Sequence, residues 1–282
     1  MKPGHGSQTA ALVCMGRAMA HGMTTESRFS DPTALALLPD DARARVERFR
    51  AGEAPKGIRG RLEHTYLEKQ SKVMVARTVT IDDAVRDAEA PQLIILGAGL
   101  DGRAWRMPEL GEATVFEVDH PDSQRDKRER VAALTPAARD VRFAPVDFTR
   151  DNLDDALAAA GHDPALATTW LWEGVVMYLT PADIEATLTV IERRSAAGSR
   201  LIVAYHSPAL MLRLIGPMVR RLGEPLRSAF KADTMRTLLA RYGFGVVRDD
   251  DLSTIGGALS AEIAQATRMM KHLRIAIANR LL

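Results

Sequence analysis

Four apolar residues in a row, Leu93-Ile94-Ile95-Leu96, run straight into Gly97-Ala98-Gly99, and no other segment constrains the fold as strongly. An unbroken apolar run of strand length has no polar face, so both faces must be covered, as in a strand inside a parallel sheet. Comparable strands follow: Thr114–Val118 ending at Asp119, Val141–Val146 ending at Asp147, Thr168–Trp172 ending at Glu173, and Arg200–Tyr205. Helical segments over 122–134, 151–160 and 181–195 separate them. This alternation predicts an α/β fold with a doubly wound, mostly parallel sheet. Phe244–Arg248 and His272–Asn279 add two strands, expected as an antiparallel edge pair, for about seven in total. Between them Lys231–Tyr242 reads as a helix stopped by Gly243.

Residues 1–90 read differently, as a helical cap over the site, with the main domain spanning 91–282. Asp31-Pro32 is a helix start, with a side-chain acceptor at the N-cap and a proline in the first turn. Ala34, Leu35, Leu37 and Leu38 give that short helix its apolar face, and Pro39 ends it. Asp40–Arg50 forms a charged second helix with Val46 and Phe49 inward, and Gly52–Gly60 reads as a loop. A third helix covers about Leu62–Asp87, its apolar members Val73, Val75, Val79 and Ile81. Within 206–230, Pro208–Glu224 reads as a substrate-side insertion whose Leu210, Met211, Leu214, Ile215, Met218 and Val219 suggest an amphipathic helix.

Composition narrows the function classes. A net charge of +2 over 282 residues gives no basic surface for nucleic acid. The run Arg125–Arg130 mixes signs and reads as a solvated helix face. The one cysteine, Cys14, excludes an intrachain disulfide or a cysteine-based zinc cluster and suits a reducing cytoplasm; it reads as a small apolar residue. No apolar stretch is long enough to span a bilayer, and no secretory leader is expected. Neither a membrane nor a metal is expected as partner; oligomeric state is not legible.

In open α/β sheets ligands bind at the carboxyl ends of the strands. Here four successive strand ends carry Gly97/Gly99, Asp119, Asp147 and Glu173. Glycines let the backbone turn and approach a ligand closely. Asp119 lies 20 positions after Gly99, where a carboxylate can accept both ribose hydroxyl protons. Asp147-Phe148 is placed to hold a base. Gly97, Gly99 and Gly102 also satisfy the G-x-G-x-x-G pattern, so a nicotinamide-dependent oxidoreductase stays open at this point. A pyrophosphate favours an uncharged loop; Asp101, Arg103 and Arg106 charge this one strongly, which suits a zwitterionic ligand better.

Leu93–Met107 (LIILGAGLDGRAWRM) followed by Val115–Arg128 (VFEVDHPDSQRDKR) resembles the leucine carboxyl methyltransferase-like family of bacterial methyltransferases dependent on S-adenosyl-L-methionine (SAM). Further matching pieces are Arg28–Leu38, Val73–Asp83, Ala144–Asp151, Trp172–Thr180 and Ser199–Tyr205; the likeness is weakest over 206–235. The resemblance implies a class I, Rossmann-like methyltransferase fold with SAM as cofactor and S-adenosylhomocysteine as product. Gly97, Ala98, Gly99 and Asp101 would then underlie the amino-acid end of SAM, Asp119 the ribose, and Asp147 with Phe148 the adenine. Arg77 resembles the arginine that pairs with the SAM carboxylate, and Glu173 the acidic residue near its amino group or the transferred methyl. Gly102 departs from the Thr or Ser of many relatives. The acceptor implied is a small carboxylic acid or natural product, methylated on a carboxylate oxygen.

Methyl transfer from a sulfonium needs alignment and exclusion of water more than it needs a catalyst for the leaving group. A carboxylate is already ionised at neutral pH. A phenol or amine acceptor, the alternative, would use a base, and His206 beside Tyr205 at the end of the fifth strand is the first choice. Arg17 and His21 share a helix face and could meet an acidic substrate, although a salt bridge is commoner there. Tyr66 and Tyr178 are weaker substrate candidates. Trp170 and Trp172 read as core. A non-catalytic SAM-binding protein of the same fold is the third reading.

Overall fold

The computed structural model of the chain describes residues 8–53, 57–148, 150–209 and 226–281. Its strands are β1 (Gln92–Leu96), β2 (Thr114–Asp119), β3 (Asp140–Pro145), β4 (Thr168–Trp172), β5 (Arg200–His206), β6 (Phe244–Asp251) and β7 (Leu273–Arg280). They form one sheet in the order β3-β2-β1-β4-β5-β7-β6. The first five strands pair in parallel, and β7 lies antiparallel between β5 and β6. After β1 the chain winds outward through β2 and β3, then returns to the other side of β1 as β4. The strand order therefore reverses between β1 and β4, which opens a crevice at their carboxyl ends. Leu96 is level with both Val118 and Trp172, so the loops after β1, β2 and β4 leave the sheet side by side.

Strand alternation divides the core in two. On one face Leu93, Ile95, Val115, Leu171 and Ile202 pack with Met15, Met19, Val73, Val75, Val79 and Ile81 from the N-terminal helices. On the other, Ile94, Leu96, Phe116, Trp170, Trp172 and Val203 pack with Leu157, Ile184, Leu188 and Leu239. Each such aliphatic side chain contributes about 1.5–3 kcal/mol when fully buried, so the N-terminal helices and the sheet share one stabilising core.

The helices that position the site are α1 (Gln8–Ala20), α2 (Ala34–Leu37), α3 (Asp40–Arg50), α4 (Gly57–Arg86), α5 (Arg103–Arg106), α6 (Pro121–Val131), α7 (Leu153–Ala159) and α8 (Pro181–Arg193). Near its end α4 offers the Ala84 carbonyl to Arg200, at the amino end of β5, while Arg77 reaches Glu173 beyond the carboxyl end of β4. The helix thus runs against the strands. At 1.5 Å per residue, the 20 residues of α4 before Arg77 span about 30 Å.

Several expectations need correction. The loop expected over Gly52–Gly60 is shorter, because α4 already starts at Gly57; one internal glycine costs a helix only about 1 kcal/mol, which α4 absorbs at Gly60. Helix α6 stops at Val131 and α8 at Arg193, earlier than expected, and β6 runs on to Asp251. Two short helices, Leu252–Gly257 and Ala261–Thr267, are additions, started by Asp251 and Ser260, whose side chains accept the backbone N–H groups of Thr254 and Ile263. The solvated reading of Arg125–Arg130 fails at Lys127, which is buried against Glu117 of β2 at 2.6 Å and lies over the Trp105 ring. The amphipathic helix expected within Pro208–Glu224 falls on 210–225, outside the described residues. Trp170 and Trp172 are core, as read, and Cys14 is buried, its thiol pushed up to about 12 by that burial.

Candidate functional site

The loop after β1 is built backbone first. Gly97 and Ala98 both donate to the Val118 carbonyl, at 2.8 and 3.0 Å, which folds the loop back over β2. Gly97 takes φ +70°, and a Cβ there would sit 2.2 Å from Val175. Only glycine satisfies both the turn and the approach. Gly102 is required for another reason: a Cβ there would meet the Thr33 hydroxyl at 2.2 Å, so this glycine serves packing against the N-terminal segment. Asp101 accepts the Arg103 N–H at 2.8 Å, at the very start of α5. A carboxylate therefore stands where a dinucleotide fold would receive a pyrophosphate, which removes the structural support for the G-x-G-x-x-G reading.

Asp119, just after β2, accepts Gly99 N–H on one oxygen at 2.5 Å and His120 N–H on the other at 2.6 Å. Burial raises its carboxyl above the usual range, and these two N–H groups only partly oppose it. Each oxygen keeps a lone pair for a further donor. Asp147 and Phe148 are half-buried two and three residues beyond β3, and the Asp147 carboxylate lies 4.0 Å from the His120 ring.

Beneath the loop runs a buried chain of charges. Arg77 lies 2.7 Å from one oxygen of Glu173, and Arg103 bonds the other at 2.9 Å. Arg103 also binds Asp82 at 2.7 Å and pairs with Asp101. Arg106 reaches Asp82 at 2.7 Å and Asp31 at 3.6 Å, and Arg17 closes on Asp31 at 2.9 Å. Four guanidiniums thus face four carboxylates in one balanced network. Burial pushes the Glu173 carboxyl up, but Arg77 and Arg103 outweigh it and hold the group below its ordinary range. Burial, with Arg17 and Arg103, lowers the Arg77 guanidinium despite Glu173. Arg77 Nε and Glu173 Oε1 are close yet out of hydrogen-bonding alignment, leaving both polar atoms orphaned among the described residues. Such atoms fit a ligand that offers a carboxylate and an ammonium together.

The remaining candidates separate. Arg17 pairs with Asp31 and donates to the Leu100 carbonyl at 2.5 Å, the salt-bridged role expected more often at such a position. His21, one turn on, is half-buried, and its Nδ1 has no hydrogen-bond partner among the described residues. Strand alternation sends Tyr205 and His206 to opposite faces of the sheet. The Tyr205 hydroxyl donates to Asp249 at 2.8 Å and accepts from Arg274, and burial with Asp249 raises its pKa, so the phenol is held protonated in a pair that spans β5 and β6. His206 lines a cavity of about 40 Å³ with Arg77, Gly174, Met177 and Arg274. Burial, aided by His272 and Arg77, lowers its imidazole to about 4. Tyr66 is 56% exposed on the first half of α4. Tyr178 follows Met177, whose carbonyl accepts the backbone of Arg227 at 2.7 Å. Among the described residues no group of three or more His, Cys, Asp or Glu is arranged to hold a metal, and no helix is long and apolar enough to cross a membrane.

Asp82 carries no signal in the sequence, Asp31 shows there only as a helix cap, and Arg103 and Arg106 only as charge on the glycine loop. The visible signal was the density of arginine directly after a glycine loop, inside an otherwise apolar stretch.

This strand order and these acidic strand ends define a Rossmann-like fold of the methyltransferase type. A putative methyltransferase from Thermobifida fusca has the same fold, with a TM-score of 0.55, 14% identity, and 89% of this chain and 93% of that one covered. The family model "Leucine carboxyl methyltransferase" matches residues 10–192, and the chain belongs to that family. A "Putative S-adenosyl-L-methionine-dependent methyltransferase" of Mycobacterium sp. (strain JLS) is 36% identical over 57% of this chain and 54% of its own length. One of the same description from Mycolicibacterium gilvum is 34% identical over 78% and 71%. The chain spans about half the length of several of the curated relatives it matches.

Proposed function

We propose that the chain transfers the methyl group of S-adenosylmethionine to a carboxylate oxygen of a small acid. The observation that carries this reading is the convergence of the glycine loop, Asp119, Asp147 and the Arg77–Glu173 pair on one carboxyl edge of the sheet. Arg77 would hold the carboxylate of the cofactor's amino-acid end and Glu173 its ammonium, above Gly97, Ala98, Gly99 and Asp101. Asp119 would take the ribose hydroxyls, and Asp147 with Phe148 the adenine. The network already balances its own charges, so a zwitterion enters it without adding net charge, which limits the cost of desolvation. Bound there, the cofactor supplies an activated methyl group. Residues 1–90 would cap the site and 206–230 would form its acceptor side, with His21, Tyr66 and Tyr178 as candidate contacts.

The acceptor assignment rests on the lack of a strong base at the end of β5 among the described residues. His206, held near 4, is neutral but weakly basic at pH 7, and the Tyr205 hydroxyl is tied to Asp249. A carboxylic acid arrives ionised and needs neither. Incubation with S-adenosylmethionine labelled in the methyl group, over a library of small acids, phenols and amines, tests this. A carboxyl methyl ester releases labelled methanol in mild alkali, whereas an ether or N-methyl product keeps its label. Alkali-stable products alone would overturn the acceptor assignment. Calorimetric binding of NAD(P) but not of S-adenosylmethionine would overturn the cofactor.

A further inference from the structure

We propose that Arg103 is a positioning residue that holds Glu173 and the glycine loop in the geometry an amino-acid ligand requires; this rests on the cofactor reading above. Its side chain is 1% exposed. Within that volume Nε binds Asp82 at 2.7 Å, while Nη1 is shared between Asp101 and Glu173. Its own backbone N–H binds the other Asp101 oxygen. One planar guanidinium thereby joins α4, the loop after β1 and the end of β4. Three carboxylates converge on it, and together they raise its guanidinium well above the ordinary range despite burial.

The division of labour at Glu173 gives this hub its consequence. One Glu173 oxygen belongs to Arg77 and the other to Arg103. When a ligand carboxylate takes Arg77, Glu173 still has Arg103 as counter-ion. It stays ionised and keeps its orientation, ready for the ligand's ammonium. A buried carboxylate that lost its only partner would instead protonate or move. Lysine keeps the charge, but its ammonium is a point charge without the fork whose Nε and Nη1 serve three carboxylates.

The test compares two ligands by calorimetry. S-adenosylmethionine has the amino-acid end, and 5′-methylthioadenosine keeps only the adenosine and thioether. Arg103→Lys is expected to weaken the first about 10- to 100-fold, as when the support of a direct ligand contact is altered, and the second less than about threefold. In a Glu173→Gln background, Arg103→Lys is expected to cause a clearly smaller further loss of the ratio between the two affinities, the part carried through Asp101 and the glycine loop. Asp82→Asn, which takes the charge from one leg of the hub, is expected to shift the ratio in the same direction and serves if Arg103→Lys does not fold. Equal weakening of both ligands, an unchanged ratio, or full additivity with Glu173→Gln would overturn the proposal. Failure of the unaltered protein to bind either ligand would instead overturn the cofactor reading.

Discussion

Replacing Gly97 by alanine tests how the candidate loop is built, because two separate costs meet at that residue. Its φ of +70° is a left-handed conformation, which costs an L-residue about 1–2 kcal/mol. The added Cβ would also lie 2.2 Å from Val175 Cγ2 and only 3.5 Å from Val175 Cβ. The collision is thus with one methyl group, and overpacking of that kind costs about 1–3 kcal/mol. Gly97→Ala should therefore lower unfolding free energy by about 2–5 kcal/mol, the sum of these two ranges. Val175→Ala removes the colliding methyl but not the backbone strain. In that background Gly97→Ala should cost only about 1–2 kcal/mol, the strain part alone. Urea unfolding of the four proteins closes the double-mutant cycle. A Gly97→Ala cost below about 1 kcal/mol, or no coupling to Val175, would refute the account of two additive causes.

The buried pair of Lys127 and Glu117 gives two more expectations. Lys127→Met should destabilise the protein by about 3–5 kcal/mol by leaving Glu117 buried without its counter-ion and hydrogen-bond donor, and Glu117→Leu in the same chain should restore most of that loss in chemical denaturation. Burial raises the Glu117 carboxyl to about 7 even with Lys127 beside it. The folded state therefore binds this proton more tightly than the unfolded chain, and stability from this group should fall as pH rises from about 4.5 towards 7. His206 and His162, both lowered to about 4, act oppositely over pH 4–6.5. The Glu117 contribution is thus read as the difference between the unaltered protein and Glu117→Gln, and a pH-independent difference would refute it.

Much of this was legible in the residues. The run Leu93–Leu96 and its glycines announced a strand buried on both faces, because periodicity and turn chemistry act locally. Asp119, Asp147 and Glu173 could be placed on one edge, because every parallel strand ends on the same side. The ion network was not legible in that way. Arg103 meets Asp82 at a separation of 21 residues and Glu173 at 70, and no local pattern encodes such a meeting. Lys127 looked like one more charge on a polar helix. Its signal lay in the partner strand, where Glu117 interrupts Val115-Phe116 and Val118, all buried. A carboxylate at such a position demands a counter-ion. Tyr205 and His206 were read together as neighbours, although a strand sends adjacent side chains apart.

The first helix and the glycine loop hold one another in place. Arg17 donates to the Leu100 carbonyl, Ala10 lies 3.2 Å from the space beside Gly99, and Thr33 fills the space beside Gly102. Anyone trimming the chain to a minimal sheet domain would therefore be removing a wall of the glycine loop. Peptide tags or fusions joined ahead of α1 should be chosen with the same contact in mind, since a pull on that helix is a pull on Gly99 and Leu100.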